Sequence, residues 1–250
     1  MDRLKTPLAA AFLRLFTVQA SWNYDRMVGL GMGIAEEPLL RSLRNGTEDG
    51  PAYRAAVARG AQFFNAHPYL CGLAVGATAR AEHDGAPPEQ IERLRSTLIG
   101  PLGSLGDRLF WVGWLPLLST AAIVAIALGT GWEAIVAFLV IYNIGHVTMR
   151  WWALSAGWNA GMDVVAALRH PLVQRSLRVV LPAMALVSGF CLPLAARWLA
   201  QPLPRGPALG MLGVAAVGLA LLRWRPRLVT GLRLGLAAVG AALVAGWVWR

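Results

Sequence analysis

Three clusters of polar residues, each set among glycine, proline and apolar residues, are the part of this sequence best suited to chemistry. They contain Trp22 and Asn23, then Asn65 and His67, and then Asp107. A polar side chain in apolar surroundings is unfavourable unless it is satisfied, and within membrane segments such residues usually line a cavity or a substrate path. Amide and carboxylate groups bind adjacent sugar hydroxyls, and an indole covers the apolar side of a sugar ring. The clusters therefore predict a site for a small polar ligand, either a sugar or an amino acid or peptide.

Each cluster also has a purely structural interpretation. Asn23 could lie on the surface of a helix, Asn65 and His67 could cap a turn, and Asp107 could cap the first membrane-spanning helix, where the helix dipole favours negative charge. The run GPLGSLGD, which ends at Asp107, contains residues that disfavour a regular helix and predict a tight hairpin. The residues that shape this predicted hairpin are Gly100, Pro101, Gly103 and Gly106.

Known catalytic, metal-binding and nucleotide-binding patterns are absent from the sequence. The four histidines show no HExxH spacing, and Cys71 and Cys191 lie far apart without a CxxC partner. Lys5 is the only lysine and is not preceded by a glycine-rich loop, which excludes a P-loop. We therefore predict no catalytic residue, no metal site and no cofactor on this chain.

The composition is that of a membrane protein. Hydrophobic residues make up 56% of the 250 residues, charged residues only 14%, and the mean hydropathy is +0.52. The net charge of +10 is unevenly divided, because residues 1–108 carry 12 basic and 11 acidic groups while residues 109–250 carry 11 and 2. In the second part the arginines lie between apolar runs, which is typical of cytoplasmic loops between membrane helices and not of a nucleic-acid surface.

The apolar segments predict an all-α integral membrane protein with two regions. Residues 109–250 form a transmembrane region of about five helices, at 109–130, 134–149, 179–199, 207–222 and 233–249. Residues 1–108 form a polar region broken by glycine and proline. Within it we expect an interfacial amphipathic helix in residues 7–32 and a re-entrant hairpin at residues 68–79.

The polar clusters also carry a family resemblance, in three motifs. The first motif is QASWNYDR (residues 19–26), the second is FFNAHPY (63–69) and the third is GPLGSLGDRLFW (100–111). In this order they resemble the enzyme IID component of the mannose, fructose and sorbose family of the bacterial sugar phosphotransferase system. The resemblance continues through Tyr142–Asn143 and Arg150–Trp152 and extends, in character, along most of the chain.

This resemblance implies a function and a set of partners. IID proteins work beside a IIC membrane subunit in the bacterial cytoplasmic membrane, as a hetero-oligomer of IIC–IID pairs, and soluble IIA and IIB proteins carry phosphoryl groups on histidines to the incoming hexose. The chain itself would then bear no phosphorylated residue. The residues carried over as nearest the sugar or the IIC contact are Trp22, Asn23, Asn65, His67 and Asp107.

One departure from the family pattern leaves an alternative open. A small residue or proline usually follows the motif aspartate, whereas Arg108 follows Asp107 here. Arg108 could pair with Asp107 and fill the space of a sugar hydroxyl, or extend to the membrane interface. The alternative function is therefore a membrane regulatory or scaffold protein derived from the same family, which does not transport.

Overall fold

The computed structural model describes residues 5–44 and 50–200, together with Gly213 and Val217, and these residues are almost entirely helical, without a strand. The chain divides into two compact units, Met1–Leu192 and Pro193–Arg250, and the functional residues discussed below lie in the first. The α-helices are α1 (Lys5–Arg14), α2 (Gly29–Leu40), α3 (Pro51–Gly60), α4 (Cys71–His83), α5 (Pro88–Gly106), α6 (Leu115–Ala127), α7 (Glu133–Ala160) and α8 (Pro171–Ala200).

The hairpin predicted at GPLGSLGD is wrong, because this run is helical. Helix α5 continues through Pro101 to Gly106, and a π-helical segment, Asp107–Trp114, joins it to α6. Asp107 is therefore inside a long helical stretch and does not cap the start of a helix. Tertiary packing outweighs the low helix propensity of glycine here, since the absence of a side chain at Gly106 lets the helix approach the second motif closely.

The amino-terminal part also differs from the prediction. Residues 7–32 do not form one amphipathic helix, because α1 ends at Arg14, a 3-10 turn covers Leu15–Thr17, and the first motif forms turns before α2 begins at Gly29. Residues 68–79 are not a hairpin either, since a short turn leads into the single helix α4.

Helix α4 is the centre of the core, and glycines let α7 cross it in backbone contact. Residues Cys71–Ala79 of α4 are all buried. A Cβ atom at Gly76 would meet the Trp158 amide nitrogen at 2.5 Å, and one at Gly157 would meet the carbonyl group of Leu73. Small residues that bring helix backbones together are the usual means of packing helices in membranes.

Two helical stretches in the described residues are long and apolar enough to cross a membrane, Pro88–Ala127 and Glu133–Leu194. Many of their large apolar side chains are exposed, which suits contact with lipid or with another membrane subunit. The predicted segments 109–130, 134–149 and 179–199 fall largely within these stretches. The segments 207–222 and 233–249 lie outside the described residues, apart from Gly213 and Val217.

Hydrogen bonds to the carboxylate of Glu37 connect helices α1, α2 and α3. Glu37 of α2 accepts hydrogen bonds from Arg14 Nη1 at 2.7 Å, from Arg41 Nε at 2.7 Å and from the Tyr53 hydroxyl at 3.0 Å. The hydrogen bonds from Arg41, and then those from Arg14 and Tyr53, outweigh partial burial and lower the pKa of Glu37 to about 2.

We expect Glu37→Gln to lower the stability of the detergent-solubilised chain by about 1 kcal/mol at pH 7, because three charge-assisted or polar contacts are weakened at a partly exposed site. The depressed pKa makes this contribution fully present above about pH 4.5, and it is lost as the pH falls towards 2. Thermal melts of the parent and variant should therefore differ at pH 7 and converge only as the pH approaches 2. Asp25→Asn, at an exposed carboxylate in the turn before α2, is the control and should melt like the parent at both pH values.

Candidate functional site

The first two sequence motifs are joined by backbone hydrogen bonds. The Val28 amide donates to the Phe64 carbonyl at 3.1 Å, and the Phe64 amide donates to the Arg26 carbonyl at 3.3 Å. The Arg26 guanidinium adds a bond to the Ala61 carbonyl at 3.1 Å. The turn of the first motif thus lies directly against the segment that carries Asn65 and His67.

The first motif is held in a strained turn. Asn23 and Met27 exchange backbone hydrogen bonds of 2.8 and 3.3 Å, and Met27 has a positive φ of 51°, which non-glycine residues rarely adopt. The Asn23 side chain serves this turn, since its Oδ1 accepts from the Arg26 amide at 2.9 Å and its Nδ2 donates to the Ser21 carbonyl at 3.1 Å. Strained backbone of this kind is concentrated at functional sites, where the surroundings hold it in place.

His67 joins the second motif to the third. Its ring stacks on Phe110 with centroids 5.2 Å apart, lies 5.2 Å from the ring of Trp111, and packs against the backbone of Gly106. Burial, followed by the nearby charge of Arg150, lowers the pKa of His67 to about 4, so the ring is neutral at physiological pH.

The hydrogen bonds of His67 define its tautomer. Nδ1 accepts from the Tyr69 amide at 3.3 Å, which assigns the proton of the neutral ring to Nε2. His67 is only 2% exposed, and its Nε2 has no hydrogen-bond partner among the residues that the structure describes. The side chain therefore hydrogen-bonds to the turn that precedes α4, and within the described residues its Nε2 is a buried donor without a partner.

A row of polar side chains on α7 lines the other side of this aromatic cluster. The Tyr142 and Tyr69 hydroxyls are 2.8 Å apart, and His146 stacks on Tyr69 at 4.9 Å. Arg150 Nη1 lies 3.4 Å from His146 Nδ1, and His146 Nε2 lies 2.9 Å from Asn143 Oδ1. Because arginine can only donate, His146 accepts at Nδ1 and donates at Nε2, so Arg150, His146 and Asn143 form one hydrogen-bonded chain, while Tyr142 bonds to Tyr69 separately.

Arg150 is a buried cation in a helical stretch that is long and apolar enough to cross a membrane. It is 5% exposed, and its guanidinium lies over the rings of Tyr69 at 4.4 Å and Phe16 at 4.8 Å. Within residues 5–44 and 50–200 no carboxylate pairs with it, and its Nε is also without a partner. Stacking on aromatic faces is the main compensation for its charge, and an ionisable residue in such a position is by default a candidate functional group.

The predicted site residues are only partly brought together. His67 lies at the centre of the aromatic cluster, and Gly103 and Gly106 face the second motif. The side chains of Asn65 and Asp107 are exposed. Trp22 is 47% exposed and packs edge-on against Tyr24, so it lies on the outer surface of the first motif.

Asp107 and Arg108 form no ion pair with each other in the described structure, and both side chains are exposed. The carboxylate of Asp107 is therefore not neutralised by its neighbour. Gly100 and Pro101 are exposed, and a Cβ atom at Gly100 would meet nothing within 4 Å.

The row of Tyr142, His146 and Arg150 was not predicted as part of the site. A signal for it was available, because the three residues follow one another at intervals of four in an apolar helix, which places them on one face. No group of three or more metal-binding side chains is present among the described residues.

The sequence of the chain is similar to sequences of known proteins. Residues 4–191 match the family model described as PTS system mannose/fructose/sorbose family IID component. The PTS system mannose-specific EIID component of Escherichia coli (strain K12) is 26% identical over 176 residues, which cover 68% of this chain and 61% of that protein. The PTS system sorbose-specific EIID component of Klebsiella pneumoniae is 31% identical over 173 residues, covering 67% and 62%. The chain thus matches about three fifths of the length of these curated relatives.

The fold is shared with solved membrane proteins. The cryo-EM structure of the mannose transporter ManYZ in complex with microcin E492 contains a chain with a TM-score of 0.58 and 25% identity, over 74% of this chain and 68% of that one. A second structure, described as that of a membrane protein, gives a TM-score of 0.64 at 24% identity over the same shares. The resemblance of the three motifs is therefore confirmed, and the chain belongs to the mannose/fructose/sorbose IID family of the phosphotransferase system.

Proposed function

We propose that this chain is the IID membrane subunit of a mannose-type permease of the bacterial cytoplasmic membrane. Together with a IIC subunit it forms the path of a hexose, and soluble IIA and IIB proteins phosphorylate the sugar with phosphoryl groups that come from phosphoenolpyruvate. The chain itself carries no phosphorylated residue. The assembly is a hetero-oligomer of IIC–IID pairs embedded in lipid.

The observation that carries this proposal is the convergence of the three motifs. Segments separated by about 40 residues in sequence meet at Phe64 and His67, through backbone bonds to the first motif and ring stacking on the third. The polar row on α7 borders the same cluster. Family resemblance and geometry therefore single out the same small region of the chain.

The chemistry of this region suits transport better than catalysis. His67 is buried, and its lowered pKa makes the ring a weak base, so it is poorly suited to accept a phosphoryl group or to act as a general base near neutral pH. Hydrogen-bonding side chains beside stacked aromatic rings are what a sugar path requires. Exposed Asn65 and Asp107 extend from the edges of the cluster, where the surface is open to a IIC subunit.

We expect Asp107→Asn to reduce sugar uptake by at least about tenfold, because a carboxylate accepts two hydrogen bonds from adjacent hydroxyls whereas an amide accepts at only one of its positions. The measurement is phosphoenolpyruvate-dependent uptake of labelled mannose by vesicles that contain this chain, its IIC subunit and the soluble phosphotransferase proteins. Glu89→Gln removes an exposed carboxylate from the same helix and should leave uptake unchanged.

The Arg108→Ser variant distinguishes the transport function from the regulatory or scaffold function. Because Arg108 does not pair with Asp107, its removal should change uptake by less than about twofold. A parent chain that is silent, together with an Arg108→Ser variant that transports, would instead support the regulatory or scaffold function. Silence of both chains with mannose, fructose and sorbose would contradict transport by this subunit.

A further inference from the structure

A second buried polar cluster lies on the amino-terminal side of the second motif and is not explained by the proposed sugar path. Glu36 of α2 is 1% exposed, and its Oε1 accepts a hydrogen bond of 2.5 Å from the Thr78 hydroxyl of α4. Its Oε2 lies 3.8 Å from Nη1 of Arg95, which is 3% exposed on α5. Neither Oε2 nor Nη1 has a hydrogen-bond partner in the described residues.

The Arg95 guanidinium also contacts the start of the second motif and the residues just before it. Its Nη2 donates to the carbonyl oxygens of Gly60 at 3.0 Å and Gln62 at 3.4 Å, and its plane lies 5.3 Å from the centre of the Phe64 ring. These contacts end three residues before His67. Arg95 therefore connects Glu36 to the segment that positions the candidate site.

The fit around the carboxylate is tight. A Cβ atom at Gly60 would lie 2.5 Å from Glu36 Oε2, so the backbone at the end of α3 packs directly on the acid. A small movement of Glu36 or Arg95 is thus transmitted to the backbone of residues 60–64, because close-packed interiors do not deform continuously.

The charged and titratable groups around this pair come from three helices. Arg59 of α3 and Glu82 of α4 form a two-bond ion pair of 2.8 and 2.7 Å beside Glu36. On the side of Arg95 lie Glu92 of α5 and the buried thiol of Cys71 in α4. Arg59 and Glu82 neutralise each other, which leaves Glu36 as the group whose charge decides how firmly Arg95 Nη1 is held.

We propose that Glu36 and Arg95 form a proton-responsive clamp that positions the second motif, so that Arg95 is a positioning residue for the sugar path and loss of the charge on Glu36 loosens it. The inference rests on the proposed function for its role in transport. The clamp itself is a property of residues 36, 60–64 and 95.

Burial of the carboxylate supports a response near neutral pH. Burial, which is opposed by the charge of Arg95 and by the Thr78 hydrogen bond, raises the pKa of Glu36 to about 7. The acid is then largely ionised at pH 8, where it attracts Arg95 Nη1, and largely protonated at pH 6, where that attraction is lost.

The test uses the rate at which a maleimide modifies Ala66→Cys in membrane vesicles that contain the full chain and its IIC subunit. Ala66 is 8% exposed and lies between Asn65 and His67, so the rate reports opening of the second motif. The native Cys71 and Cys191 are buried, and for each background the reaction of the same chain without Ala66→Cys is subtracted.

Two substitutions probe the clamp. Arg95→Met should raise the modification rate at least about tenfold at both pH values, while Arg93→Met, at an exposed arginine of the same helix, should change it by less than about twofold. Glu36→Gln should raise the rate about threefold or more at pH 8 and leave it nearly equal to that of the parent at pH 6, since glutamine imitates the protonated acid.

The variant and the parent are compared at the same pH, so ionisation of the thiol affects both modification rates equally. Ala81→Cys, a buried position of α4 outside the second motif, should show no difference between the Glu36→Gln and parent backgrounds. An unchanged rate in Arg95→Met, or a Glu36→Gln effect of equal size at pH 6 and pH 8, would overturn the clamp.

Uptake of labelled mannose by the same vesicles separates this inference from the proposed function. If the parent transports while the modification rates do not respond to Arg95 or Glu36, the clamp is refuted and the transport function stands. If the rates respond as expected while no sugar enters, the clamp stands and the transport function is refuted.

Discussion

Replacing Gly157 by alanine is expected to destabilise the folded chain strongly, with a loss of stability of about 3 kcal/mol or more. The Cβ atom would lie far inside the contact distance of the Leu73 carbonyl group, whose carbon would be 2.9 Å away. The obstructing atoms belong to the backbone of α4, so no side-chain rotation can relieve the contact, and α4 and α7 must separate along the most buried interface of the fold. The variant should show a lower yield of monodisperse protein in detergent and a melting temperature lower by about 6 °C or more.

A second glycine, Gly189, serves as a control for the effect of a glycine-to-alanine substitution in a helix without a close contact. Gly189 lies in α8, and a Cβ atom there would meet nothing within 4 Å, so Gly189→Ala should be neutral or stabilising by up to about 1 kcal/mol. Equal melting temperatures for Gly157→Ala and Gly189→Ala would show that α4 and α7 do not cross in backbone contact.

The membrane class of the fold could be predicted from composition because it depends on averages along the chain. The excess of apolar residues and the position of the arginines are not affected by a local error in the prediction, and segments 109–130 and 134–149 therefore lie largely within helices. Local conformation was predicted less well at GPLGSLGD, where glycine and proline indicated a hairpin. Propensity measures the preference of an isolated segment, whereas Gly103 and Gly106 of α5 serve contact with a distant segment that the local sequence does not describe.

The candidate site, like the fold, could be predicted only in part. His67 was predicted from its polar type within a motif, and it lies at the centre of the aromatic cluster. Its partner Arg150 is 83 positions away, and only the crossing of α4 and α7 brings it over Tyr69. Residue type indicates which side chains can do chemistry, but the pairing of such side chains is a consequence of tertiary packing.

The second large effect is expected at Gly106, where alanine should reduce sugar uptake by about one hundredfold while the chain still folds. The added Cβ would overlap the Cβ of His67 and lie 2.5 Å from its Cγ, so the second motif must move away from α5 by about 1 Å. Displacements of this size in a binding or reacting group reduce rates by about two orders of magnitude. Uptake of labelled mannose measures the loss, and detergent melting curves show that the fold is retained.

The three glycines of the third motif provide a graded control within one helix. A Cβ atom would meet nothing at Gly100, would make ordinary contact at Gly103 with the Asn65 carbonyl oxygen at 3.8 Å, and would overlap His67 at Gly106. Because all three alanines raise helix propensity equally, differences in uptake report contact with the second motif alone. Uptake should be normal in Gly100→Ala, lowered by less than about threefold in Gly103→Ala, and lost in Gly106→Ala. Equal uptake by the three variants would mean that close packing of His67 against α5 is not required for transport, and the sugar path would then have to lie elsewhere on the chain.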